Sequence, residues 1–150
     1  MTRFLLDVML GTLARYLRFC GHDAAYALDR GVEADDELLS WAAGEGRRLL
    51  TRDRDLAARA DDAVLLSTRD VDDQLGELAD AGTDLTPGPP ARCGACNGEL
   101  AVQPDDAPVP EHAPDGVAPV YRCVDCGQRF WKGSHWDDVA DTLATVRERR

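Results

Sequence analysis

Over roughly the first 80 residues the apolar positions follow two alternating rhythms. Phe4-Leu5-Leu6, Arg48-Leu49-Leu50-Thr51 and Ala63 to Leu66 are short apolar runs of the kind that lie inside a covered sheet, and a further strand is expected over Ala24 to Leu28. Between them, Thr12 to Cys20 sets Leu13, Tyr16, Leu17 and Cys20 at helical spacing, with Arg15 and Arg18 beside that face and Gly21 suited to end the helix. Asp35-Asp36-Glu37 opens a helix to about Gly44, with Asp35 or Asp36 as its N-cap. A short helix follows Asp53-Arg54-Asp55-Leu56, and Asp70 to Ala81 forms another. Strands that alternate with helices predict an α/β fold with a mostly parallel sheet covered by helices.

The rhythm stops at Thr86-Pro87-Gly88-Pro89-Pro90, which continues neither a helix nor a central strand. This reading divides the chain into a first unit at 1–85, a linker at 86–91, a small module at 92–136 and a C-terminal helix at 137–150. Within the module, Pro104 to Pro119 holds five of the eight prolines and is expected to be an exposed loop.

The small module carries the clearest chemistry. Cys93-Gly94-Ala95-Cys96 and Cys123-Val124-Asp125-Cys126 are two C-x-x-C knuckles separated by 26 residues, a pattern that predicts one zinc ion on four thiolates. Two disulfides or redox pairs are the alternatives, disfavoured by the expected cytoplasmic location and by the lack of βα units around the motif. Four thiolates fill a tetrahedron, so the zinc is structural and His135 is not needed as a ligand. Cys20 is left over as a buried helical thiol.

Charge changes the picture next. With 28 acidic against 17 basic residues and a net charge of −11, the chain as a whole repels a polyanion, which argues against nucleic-acid binding by bulk positive potential. Carboxylates gathered around a cation escape that objection. Asp7 ends the first strand and Asp53 the third, at the carboxyl edge where open parallel sheets bind ligands; Asp35 and Asp36 open a helix, and Asp55 lies two residues after Asp53. Mg²⁺ or Mn²⁺ there would relieve the repulsion and activate water for phosphodiester hydrolysis. The plainer alternatives are a helix cap at Asp35 or Asp36 and a solvated helix residue at Asp55. No apolar run nears the roughly 20 residues of a membrane span, and Met1 to Asp7 meets an aspartate too early for a signal peptide. A cytoplasmic chain without membrane contact is expected.

Leu6-Asp7-Val8-Met9-Leu10-Gly11-Thr12-Leu13-Ala14-Arg15-Tyr16-Leu17-Arg18 and Gly46-Arg47-Arg48-Leu49-Leu50-Thr51-Arg52-Asp53 resemble the Mut-seven C-terminal RNase domain family, relatives of PIN-domain nucleases. Arg92-Cys93-x-x-Cys96-Asn97-Gly98-Glu99-Leu100, Tyr121-Arg122-Cys123-x-x-Cys126-Gly127 and Trp131-Lys132-Gly133-Ser134-His135 resemble that family's zinc ribbon. The resemblance implies a PIN-like three-layer α/β/α fold and a metal-dependent endoribonuclease site carried by Asp7, Asp53, Asp55 and either Asp35 or Asp36. A fourth acid has no clear match; Asp70 and Asp72 are the nearest candidates.

Arg15, Arg18 and Arg52 flank the expected site and suit phosphate, or else pair with neighbouring acids. In the ribbon, Lys132 and His135 stand among Arg92, Arg122, Arg129 and the aromatics Phe130, Trp131 and Trp136, a mixture found in single-strand binders and equally in small cores. The expected function is hydrolysis of single-stranded or structured RNA on Mg²⁺ or Mn²⁺, with the zinc ribbon aiding substrate binding and an inhibitory or ribosomal protein partner left open. The alternative is an RNA- or ribosome-binding adaptor with a vestigial acidic site. A phospho-accepting receiver is excluded, since Asp7 stands alone after its strand and the single lysine, Lys132, lies in the ribbon.

Overall fold

The computed structural model describes residues 2–149. Four strands, β1 (Arg3–Leu6), β2 (Asp23–Tyr26), β3 (Arg48–Thr51) and β4 (Ala63–Leu65), form a wholly parallel sheet in the order β2-β1-β3-β4. Because side chains alternate along a strand, Phe4 and Leu6 face one side of the sheet and Leu5 the other. The first side buries Leu13, Ala14 and Leu17 of α1 (Gly11–Phe19), Leu75 and Leu78 of α4 (Val71–Asp80), and Leu143 and Val146 of α5 (Ser134–Glu148). The second buries Leu38 and Ala42 of α2 (Asp35–Glu45) and Leu56 of α3 (Arg54–Arg59). The three-layer α/β/α expectation is met.

A second sheet, antiparallel and three-stranded, is built from β5 (Leu100–Val102), β6 (Tyr121–Cys123) and β7 (Arg129–Phe130). With Cys93, Val120, Tyr121 and Cys123 as its buried residues, it has little apolar core of its own. It is tied to the first sheet instead. Asn97, held at φ 72° in the knuckle turn, accepts from the Ala24 amide at 2.9 Å and donates to Asp23 at 2.7 Å.

Three boundaries differ from the sequence reading. The second strand ends at Tyr26 and gives way to a 3₁₀ turn at Ala27–Arg30. Ala34, not Asp35 or Asp36, occupies the N-cap of α2, so both aspartates lie in its first turn, where they favour the helix through its dipole. The last helix begins at Ser134, includes His135 and Trp136, and is anchored in the main core by Leu143 and Val146.

Candidate active site and metal centre

The order β2-β1-β3-β4 makes the chain turn back over β1, so helices leave β1 and β3 toward opposite faces and a crevice opens between their carboxyl ends. Asp7 and Asp53 stand at that crevice. Asp7 is 6% exposed; its Oδ1 accepts from the Val8 amide at 2.8 Å and its Oδ2 from the Thr51 hydroxyl at 2.7 Å. The same hydroxyl oxygen accepts from the Asp53 amide at 3.0 Å. Thr51, wholly buried, therefore links the two acidic positions through one atom. Asp53 is exposed and caps α3, with Oδ1 accepting from Asp55 and Leu56 amides at 2.9 and 3.2 Å. Its Oδ2 takes part in neither bond.

The remaining candidates separate by their partners. Asp36 is exposed and ion-pairs with Arg59 at 2.5 Å, which turns it toward the end of α3. Asp35 is half-buried and Asp55 exposed, and among the described residues neither side chain has an ion pair or hydrogen bond. Asp70 caps α4 by accepting from Asp72, so it already has a structural task. Among the described residues, the acidic side chains do not form a group of three or more ligand atoms gathered as closely as the cysteines are.

The basic candidates divide in the same way. Of the two expectations for Arg18, phosphate or a neighbouring acid, its contacts agree with the second: it is 3% exposed and its guanidinium donates to Ala24 O, Gly94 O and Asp29. Arg52 is half-buried with its Nε enclosed and without a hydrogen-bond partner. Arg15 is exposed and unpaired. In the ribbon region Lys132 lies over the Trp136 ring at 4.9 Å, and His135 is exposed on the first turn of α5.

The four cysteines are gathered closely enough to hold one metal ion. All four sulfurs lie within 4.8 Å of one another, with Cys93 to Cys126 at 3.7 Å and Cys96 to Cys123 at 3.5 Å. Zn–S bonds of about 2.3 Å in a tetrahedron require S···S separations of about 3.8 Å, so the cluster is sized for zinc. Gly98 is required there: a Cβ would come within 2.7 Å of Cys123 Sγ and 2.5 Å of Asp125 Oδ2. Burial pushes the Cys96 thiol up to about 12 in the metal-free state. At Cys123, burial is outweighed by the Cys126 and Asp125 amides and neighbouring thiols, which bring it down to about 7.

Thr51, Asn97 and Asp23 are the functional residues the sequence reading passed over. Thr51 offered a weak signal as a hydroxyl ending a strand two residues before Asp53; the other two gave none, since their partners are distant in the chain. The family model described as Mut7-C RNAse domain matches residues 2–143. No curated protein and no solved structure matches the chain.

Proposed function

The chain belongs to the Mut7-C RNAse domain family, and from that premise we propose that it hydrolyses RNA phosphodiester bonds at the carboxyl edge of the parallel sheet, with Mg²⁺ or Mn²⁺ held by Asp7 and Asp53. The observation that carries this reading is the Thr51 hydroxyl, which bonds both the Asp7 carboxylate and the backbone amide of Asp53 and so ties the ends of β1 and β3 together at the switch point of the fold. The donor set fits the metal, because Mg²⁺ binds through one or two carboxylates and keeps several waters. When bound, the metal neutralises phosphate charge and lowers the pKa of water.

The protein's own groups do the rest. The Val8 amide and Thr51 hydroxyl orient the Asp7 carboxylate. Asp53 offers its free oxygen while the other caps α3. Asp35, which has no ion pair among the described residues where Asp36 is engaged by Arg59, is the better third acid, and Asp55 is the candidate to orient water. Arg52, half-buried and next to Asp53 in the chain, is the basic residue proposed to meet a phosphate oxygen. The zinc ribbon, docked through Asn97, supports the substrate. One observation favours the non-catalytic adaptor: the acids are less tightly gathered than the cysteines.

Incubating labelled RNA with the protein and Mn²⁺ decides between them. Asp7→Asn and Asp53→Asn should each slow cleavage by about 100-fold or more, the order of loss seen when a charge-stabilising group is removed. Asn caps helices as well as Asp, so Asp53→Asn should keep its stability. Cleavage unchanged in both variants would refute the proposal; binding without turnover under every divalent metal would establish the adaptor.

A further inference from the structure

A groove of about 870 Å³ runs between the outer side of α1, the zinc ribbon and the start of α5. Its α1 wall is the stripe Thr12, Arg15, Tyr16 and Phe19, whose spacing puts all four on one side of the helix. The stripe begins five residues after Asp7 and extends about 10 Å at 1.5 Å per residue. Arg92, Arg129, Phe130, Trp131 and His135 stand across from it.

Not one Asp or Glu lines this groove, although acidic residues outnumber basic ones 28 to 17 in the chain. Five of the nine aromatic residues do line it. The groove lining itself therefore carries no carboxylate, and it does carry stacking surfaces. Some of its residues are already engaged. Arg18 closes the floor through Gly94 O, and Trp136 packs against Phe19 and Lys132. Among the described residues, the exposed Arg15 has no ion pair, and neither ring nor cation stacks on the Trp131 indole. A free guanidinium and a free aromatic face in an acid-free groove recognise a polyanion with unpaired bases.

We infer that the groove binds single-stranded RNA, with a base on Trp131 and a phosphate on Arg15, and leads it along α1 toward Asp7. The inference deepens the hydrolase reading and rests on it for the choice of RNA. A duplex is excluded from this mode because its base faces are already stacked.

Binding is best measured apart from cleavage, by fluorescence anisotropy of the full-length, zinc-loaded Asp7→Asn protein without added Mg²⁺ or Mn²⁺. The probe is an unstructured labelled RNA of about 12 nucleotides, within the site sizes of single-strand binders, compared with its duplex. The single strand should bind at least about tenfold tighter. In the same background Trp131→Ala should weaken binding by about 5- to 100-fold, the range of one lost stack, and Trp131→Phe should restore most of it. Arg15→Ala should weaken binding and reduce the salt slope by about 1. Arg48→Ala, at the opposite edge of the sheet and paired with Asp62, serves as the charge control and should leave binding unchanged. Zinc content reports whether Trp131→Ala is folded; if it is not, the exposed Arg15 decides. Equal or tighter duplex binding, or Arg15→Ala and folded Trp131→Ala that bind like the parent, would overturn the groove whatever becomes of the cleavage reading. A chain that binds through these residues but never hydrolyses RNA would refute only the latter.

Discussion

At the scale of single residues, the acidic edge depends on a hydroxyl that carries no charge. Thr51 donates to Asp7 and accepts from the Asp53 amide, so replacing it removes a donor from one carboxylate and orphans the N–H of the other position. Thr51→Val keeps the shape and the β-branched fit in β3. It should cost about 1–3 kcal/mol, as expected for buried groups left unsatisfied, and lower RNA cleavage; denaturant unfolding and a cleavage rate measure the two. Stability and rate both equal to the parent would remove Thr51 from the site. Asp7 and Asp53 stood out in the sequence because each follows a short apolar run at the carboxyl end of an expected strand, although Asp53 also serves as the cap of α3. Thr51 did not, because its partner Asp7 lies 44 positions away. Arg18 was legible only in part: helical spacing put it beside the site, but packing turned it inward onto Gly94 of the ribbon.

Among the elements, the contact between the first cysteine knuckle and β2 decides how the two sheets meet. Asp23 collects Arg47 at 2.8 Å, Arg3 at 3.5 Å, Arg92 at 3.9 Å and the Asn97 amide at 2.7 Å. Burial acts to raise its pKa, but the hydrogen bonds from Arg47 and Asn97 and the charges of Arg47 and Arg92 outweigh it and hold the carboxyl below 3.8. A depressed native pKa contributes stability that is complete above the unfolded value of 3.8 and is lost as the pH falls through the native one. Asp23→Asn should therefore cost about 2–4 kcal/mol at neutral pH, as for one partner lost from a buried ion pair. Its deficit relative to the parent should close in urea titrations carried below pH 3.8; a deficit independent of pH would show that the charge is not responsible. The strands and helices of the first unit were readable from period alone. The start of α5 was not, although Val139, Leu143 and Val146 already marked a helical stripe long enough to reach the main core.

On the scale of the whole molecule, two metals would divide the labour. The zinc ribbon has few buried apolar residues, so its order depends on the four thiolates, whereas the parallel sheet has apolar cores on both faces. Stripping the zinc should expose the amides of Leu100–Val102 and Tyr121–Cys123 to hydrogen exchange and leave those of Phe4–Leu6 and Leu49–Thr51 protected. Simultaneous loss of protection in both sheets would mean that they unfold as one. Zinc was the firmest expectation from sequence, and the sulfur spacing agrees with it; the proposed acidic metal rests on the Asp7 carboxylate and on Asp53, whose backbone amide meets the same Thr51 hydroxyl. The position of that second ion is the decisive quantity. In a crystal of the zinc-loaded protein soaked with Mn²⁺, anomalous density at the manganese edge should lie against the Asp7 and Asp53 carboxylates at the carboxyl ends of β1 and β3. Saturating Mn²⁺ that leaves this crevice empty would contradict the proposed site.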